Sequence, residues 1–190
     1  CKKNIQNEVN IFLNNNFKDK DPYFIEVGAA DGIIYSNSYI FEKKYGWQRL
    51  LIEPLPRNYK MLTKYRNCKT KNLALVNNKN IKYVELLDYG VRSDINDSNF
   101  QQTFKNIQER ELVKNEYKIT GDKIKVEASI LSDLLIEESR KTVSLMFVDV
   151  EGYEINLLQG LKEWKGGPIS LLIVETSNIE SVLNVLKKFS

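Results

Sequence analysis

Carboxylates stand at the ends of three apolar runs in this chain. The first run is Phe24-Ile25-Glu26-Val27-Gly28-Ala29-Ala30-Asp31-Gly32, a strand that enters a turn of small residues. Gly28, Ala29 and Gly32 let backbone approach a ligand closely. Ligands of parallel sheets bind at the carboxyl ends of strands. Glu26 and Asp31 put two carboxylates at that turn, which suits an ammonium group better than a pyrophosphate, since phosphates seek bare N–H groups. The second run, Leu50-Leu51-Ile52-Glu53-Pro54, delivers an acid about two dozen residues later, where nucleoside-binding folds grip a ribose diol. One carboxylate accepts from both hydroxyls. The third run, Phe147-Val148-Asp149-Val150-Glu151-Gly152-Tyr153-Glu154, sets three carboxylates around a Gly turn. Glu154 also suits the N-terminus of the helix that follows, through the helix dipole.

What is absent narrows the chemistry. The chain has no histidine, so an imidazole base, a Ser-His-Asp triad or a His-ligated zinc from this chain alone is excluded. Two cysteines, Cys1 and Cys68, form no disulfide framework or thiolate metal site, and they predict a reducing, cytoplasmic compartment. A net charge of +3 is too small for the footprint of an obligate nucleic-acid binder. Tyrosines and basic residues mix through Tyr39–Tyr65, Arg49, Arg57 and Arg66 among them, and this reads as a solvated helix face rather than a stacking platform. Trp47 and Trp164 flank strands and read as packing.

The elements that must position these acids follow from periodicity. With 190 residues and 42% hydrophobic content the chain is expected to form one domain with a sizeable core, without staples. No apolar run reaches the roughly 20 residues of a membrane span, and no signal peptide opens the polar first segment. A start at Cys1 reads as a cut edge or a limit of order. Residues 1–20 are a lead-in, with Ile5, Val9, Phe12 and Leu13 at helical spacing. Strands are predicted at Tyr23–Val27, Trp47–Glu53 and Thr70–Val76, and helices at Ser36–Tyr45 and Arg57–Arg66. This alternation implies a parallel sheet covered on both faces. Residues 79–128 read as an insertion, a flap over the sheet edge, with strands at Ile81–Leu87 and Lys123–Ala128 and a helix near Ile107–Tyr117. A helix at Ile130–Ser139 would be capped by Ser129. Then come strand Val143–Val150, helix Glu154–Trp164, strand Ile169–Glu175 and helix Ile179–Phe189. A doubly wound sheet ordinarily continues beyond such a helix, so closing strands are expected after Ser190 or the sheet is short.

Four motifs in order carry a resemblance: V-G-A-x-D-G at Val27–Gly32, S-N at Ser36-Asn37, L-I-E-P at Leu51–Pro54 and D-V-E-G at Asp149–Gly152. In these the chain resembles the FkbM-type S-adenosylmethionine-dependent methyltransferases, from about Tyr23 to Glu175. The resemblance implies a class I methyltransferase fold, a Rossmann-like doubly wound α/β sheet. It implies that Glu26, Gly28, Ala29, Asp31 and Gly32 face the methionine end of S-adenosylmethionine, with Ser36 and Asn37 nearby. Glu53, followed by Pro54, would hold the ribose, Ala74 and Leu75 would lie near the adenine, and Asp149 near the methyl group. The family is associated with O-methylation of sugars and natural products.

The expected activity is therefore methyl transfer to a hydroxyl of a sugar or glycan, in a free protein or in one domain of a larger glycan-building polypeptide. Holding oxygen, carbon and sulfur in line is worth about 7–11 kcal/mol. A sugar hydroxyl still needs a base or metal. Asp149 and Glu151 are the candidates for the catalytic role. No metal site is expected, although the pair could instead hold Mg²⁺. Glu53→Gln is expected to weaken cofactor binding with little effect on the unliganded fold. Three other readings exist, the first a methyltransferase acting on another small molecule or on nucleic acid. A nucleotide-dependent oxidoreductase is disfavoured because G-x-G-x-x-G is broken, with three residues between Gly28 and Gly32. A non-catalytic methyltransferase-like binding module would have lost cofactor binding.

Overall fold

A computed structural model of the chain describes residues 21–88, 94–95, 122–139, 142–162 and 164–188. The predicted lead-in helix and the helix near Ile107–Tyr117 lie outside the described residues. Strand β1 (Tyr23–Val27) is buried at every position and forms the middle of a five-stranded sheet. Its companions are β2 (Gln48–Ile52), β3 (Lys69–Lys71), β8 (Leu145–Val148) and β9 (Leu172–Val174), in the order β3-β2-β1-β8-β9. Every pairing in it is parallel. The predicted α/β class and Rossmann-like sheet are observed.

Parallel sheets need cover on both faces, and the alternation of side chains along β1 shows how it is met. Tyr23, Ile25 and Val27 pack with Leu131, Leu135, Leu157, Leu158 and Val182. These come from helices α3 (Leu131–Glu137), α4 (Glu154–Gln159) and α5 (Ile179–Leu186). Phe24 packs on the other face with Phe41, Leu62, Leu145 and Phe147. Phe41 belongs to helix α1 (Tyr39–Lys43) and Leu62 to α2 (Pro56–Tyr65). Trp47 leans on the Phe41 ring at 5.3 Å, as packing. Among the described residues no helix is long and apolar enough to cross a membrane.

Four details differ from the sequence expectation. The helix expected from Ser36 begins only at Tyr39, because Ser36, Asn37 and Ser38 all donate to Glu26 instead of starting a helical turn. The strand expected at Thr70–Val76 is two strands. Lys69–Lys71 stays beside β2, and β4 (Ala74–Val76) leaves for a second sheet. Asn72 marks the break, its side-chain amide donating to the carbonyls of Glu53 and Pro54 at 2.8 and 2.9 Å. Ser129 does not cap α3. It is a strand residue paired with Leu75, and Ile130 holds the N-cap position. The helix expected over Glu154–Trp164 ends at Gln159.

The insertion is more than a flap. β5 (Tyr83–Leu87), β6 (Asp94–Ile95) and β7 (Lys123–Ile130) join β4 in a sheet ordered β4-β7-β5-β6. β7 is parallel to β4 and antiparallel to β5. Leu55, Ala74, Leu86 and Val126 form a small core beneath it. Arg57 on α2 reaches Asp88 at 2.9 Å, tying this sheet to the main one.

Candidate active site

The register of the main sheet puts its carboxyl ends level. Val27 pairs with Ile52 and with Val148, Ile52 with Lys71, and Val148 with Val174. The next residues, Asn72, Glu53, Gly28, Asp149 and Glu175, therefore form a row along one edge. This is where an open parallel sheet binds its ligand. Glu53, Gly28 and Asp149 were legible in the sequence; Glu175 and Asn72 were not singled out. Glu175 had a signal, since it ends a predicted strand just as Glu53 does.

Gly28 joins two of the motifs. Its φ is +83°, and a Cβ there would sit 1.8 Å from the carbonyl oxygen of Asp149. No L side chain fits that space. The Gly28 and Ala29 amides both donate to the Ile52 carbonyl, at 2.9 and 3.0 Å, and the Asp149 amide donates to Val27. The Gly turn, the second strand and the Asp149 segment are thus fastened to one another by backbone. Ala30 follows with φ 48°, a conformation that costs energy for a residue bearing a Cβ. It is held there by Glu53, whose Oε2 accepts the Ala30 amide at 2.8 Å.

Glu53 is 4% exposed. Its Oε1 accepts from the Leu55 amide at 3.0 Å and from Asn58 Nδ2 at 3.4 Å. Burial pushes its carboxyl up to about 7; the three donors oppose this, and the charge of Glu26 adds to it. Pro54 is half-buried and presents its carbonyl to Asn72.

Glu26 and Asp31 serve the loop itself. Glu26 is fully buried and accepts from the Ser36 hydroxyl at 2.8 Å, the Ser38 hydroxyl and the Asn37 amide. Burial raises its carboxyl above the usual range against the pull of these bonds. Asp31 Oδ1 accepts the amides of Ile33 and Ile34 at 2.9 Å and of Tyr35 at 3.3 Å. Gly32 has φ +77° and donates its amide to Ala29. Ser38 was missed by sequence reasoning.

The third motif lies across the row. Asp149 is half-buried, Gly152 has φ 102°, and exposed Glu151 takes φ 52°. Backbone strain of that kind clusters at functional sites. Glu154 is 3% exposed and turns back onto the Gly152 amide at 2.6 Å, and burial raises its carboxyl. Ala74 and Leu75 are both 4% exposed, with their side chains in hydrophobic cores. The structure brings together Glu26, Ser36 and Asn37, then Gly28 and Asp149, then Glu53 and the Ala30 turn. Ala74 and Leu75 lie instead in β4 of the second sheet, paired with Ala128 and Ser129. Among the described residues no three His, Cys, Asp or Glu side chains gather as metal ligands.

A family model, the methyltransferase FkbM domain, matches residues 26–184. The chain belongs to the FkbM methyltransferase family. That match runs from Glu26 in β1 to Asn184 in α5 and includes the whole carboxyl-edge row. No curated protein matches the chain.

Proposed function

We propose that the protein transfers a methyl group from S-adenosylmethionine to a hydroxyl oxygen of a sugar or glycan. The observation that carries this is the level row of Glu53, Gly28 and Asp149 within a methyltransferase domain. The donor set fits the cofactor. Glu53 is a buried carboxylate at the strand end and would accept from the ribose hydroxyls, exchanging its Asn58 contact for them. The turn from Gly28 to Gly32 would lie against the methionine portion through its backbone, shaped from behind by Glu26 and Asp31. When bound, the cofactor supplies a methyl group on a sulfonium, an excellent leaving group. Asp149 would accept the acceptor's hydroxyl proton or orient that oxygen, and Glu151 across the turn would assist. Ala74 and Leu75 would approach the adenine from their own sheet. The setting this reading proposes is reducing and cytoplasmic.

The test has two stages. Calorimetry with S-adenosylhomocysteine should show stoichiometric binding; none would remove the cofactor and leave a non-catalytic module. A screen of sugars and glycans with S-adenosylmethionine, read by mass, should then find an acceptor that gains one methyl. Gain of a methyl only on nitrogen or sulfur acceptors would refute the hydroxyl assignment.

A further inference from the structure

The basic residues between Tyr39 and Tyr65 and just beyond read, in the sequence, as a solvated face. Arg66 is not solvated: its side chain is fully buried. It stands one residue past α2, and its backbone amide still donates to Leu62, which fixes where the side chain starts. From there the guanidinium runs under the turn. Nη1 donates to the Gly32 carbonyl at 2.7 Å and to the Ser36 hydroxyl at 3.0 Å. Nε is paired with Glu42 of α1, a carboxylate only 4% exposed. The guanidinium carbon lies 5.3 Å from the centre of the Tyr39 ring. Gly32 rests directly on the stem, since a Cβ there would come within 2.8 Å of Arg66 Cγ.

We propose that Arg66, aimed by Glu42, is a positioning residue that sets the turn over residues 32–38 in its cofactor-binding shape before any cofactor arrives. This rests on the reading of that turn as part of the S-adenosylmethionine site. Ser36 is the link. Its hydroxyl accepts from Arg66 and donates to Glu26, and Glu26 in turn holds Asn37 and Ser38. One planar cation thereby joins the end of α2, the start of α1, the Gly32 carbonyl and the acid at the end of β1. Arg66 Nη2 is buried with no hydrogen-bond partner among the described residues. A buried donor left unmade costs stability. A residue selected for packing alone would not carry it, whereas a fork committed to fixed acceptors on two sides would. Lysine cannot replace it, because one ammonium lacks the planar fork that reaches Glu42 and the loop together.

The test compares wild type with Arg66→Lys as full chains. S-adenosylhomocysteine affinity is measured by calorimetry and amide exchange by mass spectrometry. The expected result is a folded variant whose affinity is down roughly tenfold, the weight of one charged hydrogen bond. Exchange should be faster over 32–38 and unchanged in β8. A purely structural role would lower the melting temperature but leave affinity and local exchange of the folded protein as they are, and that result overturns the proposal. Should the variant not fold, wild type carries the test. Amides over 32–38 should already be protected without ligand and gain little when it binds; a large gain would mean that the cofactor, not Arg66, orders the turn. Failure of wild type to bind overturns the cofactor reading and this proposal with it. Binding by wild type with no change in Arg66→Lys overturns this proposal alone.

Discussion

Cofactor affinity should depend on pH through Glu53, and the variant Glu53→Gln isolates the effect. The group is buried and titrates at about 7 instead of near 4.5, so at neutral pH it is about half protonated. Two ribose hydroxyls donating to it would favour the ionised form. The apparent dissociation constant then rises in inverse proportion to the ionised fraction. Between pH 8 and pH 6 the affinity for S-adenosylhomocysteine should fall about tenfold. The free protein should respond in the opposite sense. A carboxyl whose folded-state value is raised contributes stability that is fully present below about 4.5 and is lost as pH rises through 7. The whole change is about 3 kcal/mol. The Glu53→Gln variant should show neither trend from this group. It brings a separate loss, because Glu53 accepts from Ala30, Leu55 and Asn58, and an amide would turn an N–H toward one of them. In place of the small effect on the unliganded fold expected from the sequence, this substitution should bring a pH-independent loss of about 1–3 kcal/mol. The assay is calorimetry at pH 6, 7 and 8, with urea unfolding at the same values. The variant also controls for the ligand's own amine and for Glu26, since neither is altered. Equal pH slopes for wild type and Glu53→Gln would show that Glu53 does not couple to the ribose.

Three further outcomes are expected. Saturating S-adenosylhomocysteine, at a hundred times its dissociation constant, should stabilise the protein by about 2.7 kcal/mol in thermal melts; an unmoved melt of folded protein would refute cofactor binding. Gly28→Ala should lower the melting temperature and remove cofactor binding, because its Cβ would overlap the Asp149 carbonyl at a positive φ; near-native binding would mean the 28–149 contact is not needed. Asp149→Asn should reduce methyl transfer by roughly two to four orders of magnitude and leave cofactor binding in place; near wild-type turnover on the identified acceptor would move the base elsewhere.

The main sheet was legible because its strands are nearly all apolar. A run such as Leu145–Val148, buried at every position, has only one place to go in an α/β protein. The second sheet was harder. Lys123–Ile130 alternates exposed and buried residues and pairs with segments far apart in the chain, one parallel and one antiparallel. Nothing local in the sequence selects those partners. The break at Asn72 was hidden for a related reason. Its cause is a side-chain amide that finds two carbonyls just past the neighbouring strand β2, and an asparagine inside a run of strand formers does not announce them.

The site divides along the same line. Glu53, Gly28 and Asp149 were readable because each ends a strand, and strand ends of a parallel sheet converge whatever else the chain does. Glu26 was readable as a position but not as a role. Its carboxylate looked available to an ammonium group, yet Ser36, Asn37 and Ser38 take up its oxygens. Three local donors outcompete a distant ligand because they arrive with the fold and leave no buried oxygen unpaired. Arg66 is the strongest case. Its charge belongs to a segment rich in exposed lysines, and only the path of α2 beneath the turn makes it a buried partner of Glu42. Burial pushes the Glu42 carboxyl up, but the hydrogen bond and charge of Arg66, with Lys43 and Arg49 adding, hold it below the usual range. A pair so enclosed persists only if each partner keeps the other: removing one leaves an uncompensated charge at a cost of about 3–5 kcal/mol. Glu42→Gln should therefore destabilise the chain by that order in urea unfolding. A loss below about 1 kcal/mol would mean that water reaches the pair, and the rigid base ascribed to the 32–38 turn would go with it.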